Sequence, residues 1–153
     1  MEDREVKQVI VFRKDLLKGE HAIRKGKFAA QCCHASLGAV LSMMEKTPTY
    51  SSNNTEDECK LEHITYQVTF EPNSILDKWL NGIFKKICLY VNSDEELVAL
   101  YNKIKETNPT IPCVLITDAG HTEFHGVPTN TCMGIGPFWS DEIDVFTHEL
   151  KLL

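Results

Sequence analysis

Length, composition and charge limit the classes of protein to which this chain can belong. Its 153 residues are enough for one domain with its own core, and 42% hydrophobic with 25% charged residues is ordinary for a soluble globular protein. A net charge of −6 argues against non-specific binding to nucleic acid. The charged start MEDREVKQ predicts no signal peptide, and no apolar run is long enough to span a membrane. Six cysteines without a CxxC pair predict reduced thiols in a cytoplasmic protein.

The first elements form one strand and one long helix. The apolar run VIVF at 9–12 predicts a buried strand. A basic loop from Arg13 to Lys25 then leads into RKGKFAAQCCHASLGAVLSMM at 24–44, which has helical spacing. Because this stretch is apolar on almost every side, we expect a helix that is buried on two faces.

A change of character follows this helix. The stretch at 45–59 is polar, acidic and rich in turn formers, which predicts a surface loop. ITYQVTFEP at 64–72 alternates apolar and polar residues, which predicts an extra edge strand stopped by Pro72. We therefore expect one domain over residues 1–153 with an inserted polar loop at about 45–73.

The second half of the chain alternates strands with helices. In order, these are a helix capped by Ser74, a strand at 83–91, a helix opened by a capping box from Ser93 to Glu96, strands at 113–117 and 129–137, and a helix beginning at Ser140. The short connection between the last two strands favours an antiparallel pair. The order predicts a three-layer α/β/α fold with a mixed, mainly four-stranded central sheet.

Three polar side chains follow strand ends in this scheme. Lys27 lies in the helix after the first strand, Asp118 ends the third strand, and Thr122 lies in the glycine turn beyond it. Ligands of α/β sheets bind beyond the carboxyl ends of strands, so we expect these side chains to meet there. A carboxylate can orient or deprotonate water, a hydroxyl can position that water or donate to an oxyanion, and an ammonium can neutralise it and lower the pKa of Asp118.

From the residues alone, three structural alternatives stay open at this site. Thr122 can be an ordinary hydrogen-bonding residue of its loop. Asp118 can instead organise its own turn. Lys27 can instead be a core-helix lysine whose ammonium reaches solvent.

Positive charge is concentrated at the start of the chain. Residues 1–27 hold eight Lys/Arg and five Asp/Glu, so the remaining chain carries nine net negative charges. Arg24 and Lys25 directly precede the helix, whose free N–H groups favour anions, and are candidate phosphate contacts. The alternative is an ordinary solvated surface.

We predict neither a metal site nor a cofactor. His121 and His125 are four residues apart, but Gly120 and Gly126 argue against the helix that such a zinc-ligand pair would need. GIGP at 134–137 lacks the pattern and context of a dinucleotide-binding loop.

Four motifs resemble one known family. RKGKFAAQCCHASLGA at 24–39 is similar to the GKGKxAAQCSHA signature of the type-2 peptidyl-tRNA hydrolases, and ITDAGHTEF, TCMGIGP and HELKLL follow in the family's order. The resemblance implies hydrolysis of the ester between a peptide and the 3′ end of tRNA, without a metal, by a homodimer. It also implies site residues, with Lys27, Asp118 and Thr122 as catalytic groups and Gln31, Thr129 and Thr131 lining the site.

The chain departs from this family at two places. Glu123 stands where the pattern DAGxTQ has glutamine, and a carboxylate near the phosphate path could weaken RNA binding or select another acyl ester. The insertion at 45–73 is longer than the family's usual connection. Besides the hydrolase, with tRNA as its partner, we consider a non-catalytic RNA- or protein-binding adaptor on the same fold, and an esterase for another acylated substrate.

Overall fold

A five-stranded sheet forms the centre of the computed structural model, which describes residues 4–51 and 59–153. The elements are β1 (Val6–Arg13), a short 3-10 helix (Lys14–Leu17), α1 (Lys25–Leu41), β2 (Glu45–Tyr50), β3 (Leu61–Gln67), α2 (Ile75–Leu80), β4 (Lys86–Val91), α3 (Asp94–Thr107), β5 (Cys113–Asp118), β6 (Thr129–Trp139), α4 (Ser140–Thr147) and β7 (Lys151–Leu152). The order across the central sheet is β5-β6-β1-β4-β7.

The sheet is mixed, as predicted. β1 runs parallel to β4, and β6 is antiparallel to both β1 and β5. The carboxyl ends of β1 and β5 therefore lie at the same edge of the sheet. The predicted fold class is confirmed, with one more strand than expected. The two-residue β7 pairs with β4 through Leu89 and Leu152, and is too short to carry a periodic signal.

One side of the sheet, the closed face, is covered by α3 and α4. Val9 and Val11 of β1 pack there with Leu97 and Ile104 of α3, and all four are fully buried. The predicted N-cap of α3 is confirmed, because Ser93 Oγ accepts a 3.3 Å hydrogen bond from the N–H of Glu96. The Glu96 carboxylate accepts from the backbone N–H of Asn92 rather than from that of Ser93, so the reciprocal half of the predicted capping box differs. A capped amphipathic helix laid over alternating strand residues closes this side of the domain.

The other side, the open face, carries α1 and α2. Ile10 and Phe12 of β1 point to this face and pack near Ala35 of α1. A Cβ at Gly134 of β6 would overlap the carbonyl of Ala35, so glycine allows the helix to lie directly on the strand. The close approach holds α1 against the sheet along a narrow line.

The prediction that α1 is buried on two faces is wrong for the single chain. The buried residues of α1 are Gln31, Ala35 and Ala39. Leu37 is 59% exposed and Leu41 is 40% exposed, although both were expected to pack inward. The sheet covers only one side of α1, and its apolar outer side faces solvent.

The insertion forms a β-hairpin rather than a loop where it is described. β2 and β3 pair antiparallel in a separate two-stranded sheet, so the surface-loop prediction is wrong at 45–50. A strand was predicted at 64–72 and is found at Leu61–Gln67, but it does not extend the central sheet. Residues 52–58 of the predicted loop lie outside the described residues.

Two further features bear on the expectations from composition. All six cysteines are free thiols, and burial raises the pKa of Cys113 and Cys132 to about 12. Within residues 4–51 and 59–153, no helix is both long and apolar enough to cross a membrane.

Candidate active site

Lys27 and Asp118 meet at the edge of the sheet where β1 and β5 end. Lys27 lies in the first turn of α1 and Asp118 is the last residue of β5. Their Nζ and Oδ2 atoms are 2.6 Å apart, and the two side chains are only 15% and 13% exposed. The meeting predicted from strand order therefore exists as a close, partly desolvated ion pair.

The two carboxylate oxygens of Asp118 accept hydrogen bonds from different groups. Oδ1 accepts a 2.8 Å hydrogen bond from the N–H of Gly120, which has φ +83°, so this oxygen organises the turn as in the structural alternative. Oδ2 accepts bonds from Lys27 and from Gln31 Nε2, the latter at 2.9 Å. Desolvation by itself would raise the pKa of Asp118, but these hydrogen bonds and the charge of Lys27 outweigh it and lower the pKa below its ordinary 3.8.

Gln31 and Thr131 form a buried support behind Asp118. Thr131 Oγ1 donates a 2.6 Å bond to Gln31 Oε1, which leaves the amide nitrogen of Gln31 directed at Asp118. The two residues are 3% and 0% exposed, so neither side chain has a surface to offer a substrate. The resemblance implied that they line the site; the geometry places them one layer beneath it.

Thr122 completes the arrangement from the β5–β6 loop (residues 119–128). Its Oγ1 accepts a 3.0 Å hydrogen bond from Lys27 Nζ, and the residue is exposed. Phe124 of the same loop lies with its ring centroid 5.4 Å from Lys27 Nζ and packs beside the open-face core. Phe124 was missed as a site residue, although an aromatic residue in an otherwise polar turn was a usable signal.

The remaining predicted residues surround this centre. Thr129 is opposite Asp118 in the β5–β6 pairing, and its hydroxyl donates to the carbonyl of Val127. Lys25 begins α1 and is exposed. Arg24 Nε lies 2.5 Å from Glu123 Oε1, so Glu123 does not stand as an isolated negative charge beside the site. This pair lines an open cavity of about 290 Å³ together with His21, Ala22 and Thr122.

The arrangement combines an ammonium, an ionised carboxylate and an exposed hydroxyl at one open edge of the sheet. Such groups can orient a water and stabilise negative charge that develops on a carbonyl oxygen. Among the described residues, no group of three or more His, Cys, Asp or Glu side chains is placed to hold a metal ion. Fold and site together define an α/β protein of the hydrolase type, with its reactive groups beyond the carboxyl ends of parallel strands.

Comparison with known proteins identifies the family. The family model described as "Peptidyl-tRNA hydrolase PTH2" matches residues 6–153, and the chain belongs to this family. It is 37% identical to a peptidyl-tRNA hydrolase of Methanothermobacter thermautotrophicus and 34% identical to one of Methanocaldococcus jannaschii, in each case over 97% of this chain and 100% of the relative. It is also 34% identical to a probable peptidyl-tRNA hydrolase 2 of Dictyostelium discoideum, over 95% of this chain and 54% of that longer protein.

Proposed function

We propose that this protein hydrolyses the ester bond between a peptide, or an N-acyl amino acid, and the 3′ end of tRNA, and so returns tRNA to translation in the cytoplasm. Family membership across residues 6–153 supports this activity. The single observation that carries it is the contact of Lys27 with both Asp118 and Thr122, at 2.6 and 3.0 Å. A non-catalytic adaptor would have no need to hold these three groups around one point.

The proposed reaction is attack of water on the ester carbonyl. The water oxygen bonds to the carbonyl carbon, the bond from that carbon to the ribose oxygen breaks, and the water's proton passes through Asp118 to the leaving oxygen. The ammonium of Lys27 stabilises the charge that develops on the carbonyl oxygen. Because Thr122 accepts its bond from Lys27, its own O–H remains available to hold the water or the oxyanion.

Three of the residues implied to line the site support it instead in this proposal. Gln31 orients Asp118, Thr131 fixes the amide of Gln31, and Thr129 shapes the end of the β5–β6 loop. Arg24 and Lys25 contact phosphates of the acceptor end. Arg24 engages Glu123 through Nε while its side chain stays 80% exposed, which leaves much of the guanidinium group accessible to a phosphate.

The direct test is release of an N-acylated amino acid from N-acyl-aminoacyl-tRNA by the purified protein in the presence of a chelator. Lys27→Ala and Asp118→Asn should each lower kcat. Because both groups act on one transition state, the double variant should lose less than the product of the single losses. Absence of release by the wild-type protein would reject the function, and release from a simple acyl ester but not from tRNA would favour the esterase alternative.

We also propose that the protein is a homodimer that buries the outer side of α1. This proposal is supported by exposed apolar side chains next to one another on the open face, where Leu37 and Phe84 are 59% and 45% exposed. They line a groove of about 400 Å³ together with Cys33 and Leu80. Exposed apolar patches of this kind are typical of association surfaces.

Light scattering at micromolar concentration tests this assembly. We expect about twice the 17.4 kDa of the chain, and a shift to 17.4 kDa in Leu37→Glu. Val145→Glu is the matched control, because Val145 is 62% exposed on α4 at the opposite face. A wild-type protein of 17.4 kDa would reject the dimer.

A further inference from the structure

The β5–β6 loop must hold its position without regular secondary structure, because it carries Thr122 to Lys27. Inside the loop, the N–H of Gly126 donates to the carbonyl of Gly120, and that of Val127 donates to the carbonyl of Phe124. Both glycines have positive φ, at +83° and +79°. These two bonds close the loop on itself, but neither ties it to α1, where Lys27 lies.

Glu123 makes the connection to α1. Its Oε1 accepts a 2.5 Å bond from Arg24 Nε, and its Oε2 accepts a 3.2 Å bond from the backbone N–H of Arg24. Arg24 is the N-cap of α1 and makes no side-chain cap bond of its own. The Glu123 carboxylate thus meets the positive end of the helix dipole, next to the turn that contains Lys27.

Burial and charge agree with an anchoring role. The Glu123 side chain is 12% exposed, whereas that of Arg24 is 80% exposed, so the carboxylate is the enclosed partner of the pair. Hydrogen bonds from Arg24 lower the pKa of Glu123, and the carboxylate is therefore ionised at neutral pH. Thr122 and Glu123 are adjacent in sequence, so fixing one restricts the other.

We propose that Glu123 is a positioning residue for the hydrolysis: its hydrogen bonds to Arg24 hold the β5–β6 loop on the N-terminus of α1 and keep Thr122 on Lys27. This inference rests on the function proposed above. It differs from the expectation that Glu123 weakens RNA binding or selects another ester. The effect is on the placement of Thr122, and through it on kcat, rather than on affinity for tRNA.

The experiment measures kcat and KM on N-acyl-aminoacyl-tRNA for Glu123→Ala in two backgrounds, wild type and Thr122→Val. In the wild-type background, we expect Glu123→Ala to lower kcat roughly tenfold and to change KM less than twofold, because a displaced acid–base or donor group affects the chemical step. In the Thr122→Val background, we expect Glu123→Ala to cause no further fall in kcat, because the hydroxyl that Glu123 positions is already missing. Because the Arg24 side of this ion pair is 80% exposed, the pair adds little to stability, and the melting temperature should stay within a few degrees.

Glu123→Gln provides rescue by a conservative variant. Its amide oxygen can still accept from the backbone N–H of Arg24, so we expect at least half of the wild-type kcat. Glu106→Ala, an exposed glutamate of α3, is the control and should behave as wild type. The inference is overturned if Glu123→Ala equals wild type, if it costs the same factor in both backgrounds, or if Glu123→Gln loses as much as alanine. An inactive wild-type protein would instead reject the proposed function.

Discussion

The closed and open faces of the sheet both carry helices with apolar side chains, but these side chains differ in how far they are buried. On the closed face, Leu97 and Ile104 of α3 are fully buried. On the open face, Leu37 of α1 has equal apolar character and is 59% exposed. The closed face stabilises the domain, whereas the open face leaves α1 accessible at its outer side and at its N-terminus, where the candidate active site lies.

The largest expected effect is on catalysis at the open face. Asp118→Asn removes the charge that orients Lys27 and the water, so kcat should fall by about 10²–10⁴-fold. Asp141→Asn is the matched control, because Asp141 forms an exposed ion pair with Arg4 at the start of α4. Steady-state hydrolysis of N-acyl-aminoacyl-tRNA measures both. A kcat above a tenth of wild type in Asp118→Asn would remove Asp118 from the reaction.

The next effect is on stability and compares two leucines directly. Leu97→Ala should lower the free energy of unfolding by about 2–5 kcal/mol, because it opens a cavity in a fully buried core. Leu37→Ala should change it by less than about 0.5 kcal/mol, since the side chain already faces solvent. Denaturant unfolding should be measured at concentrations where the chain is monomeric. Equal losses in the two variants would mean that the open face is as well covered as the closed face.

A smaller effect concerns phosphate contacts at the edge of the open face. We expect about two to four phosphate contacts on single-stranded RNA. A plot of log(1/KM) against the logarithm of the salt concentration should then have a slope near −1.5 to −3. Lys25→Ala should raise KM and flatten the slope by about 0.7, with kcat unchanged, because this contact binds substrate and transition state equally. Lys103→Ala on α3 is the control on the closed face. Coincident slopes for Lys25→Ala and wild type would place the RNA elsewhere.

The smallest expected effect is that of pH on kcat. The pKa of Asp118 is lowered from 3.8, so the carboxylate is fully ionised from pH 5 to pH 7 and kcat should show no titration of this group there. The stability that its ion pair contributes is present above the unfolded pKa and is lost only as pH falls through the folded pKa. A pH series of kcat checks this. A midpoint between pH 6 and 7 that disappears in Asp118→Asn would contradict it.

Much of this protein followed from local sequence patterns. Apolar runs and helical spacing were sufficient for the four longer strands of the central sheet and for the four α-helices, and Ser93 was sufficient for the start of α3. Strand order was sufficient to bring Lys27 and Asp118 together, because the carboxyl ends of parallel strands share one edge. These predictions succeed because periodicity and capping depend on residues close in sequence.

Other features depended on which surfaces meet in the folded chain. The apolar spacing of α1 could not show which side of the helix is buried, because α1 is apolar on almost every side and packs on the sheet with only one of them. The two-residue β7 exists through its pairing with β4. Gln31 became a buried support because Thr131, 100 residues away, reaches its amide. Glu123 accepts a hydrogen bond from Arg24, which is 99 residues away in sequence. From sequence alone, Glu123 appeared only as a negative charge that could repel RNA, because this contact exists only in the tertiary structure.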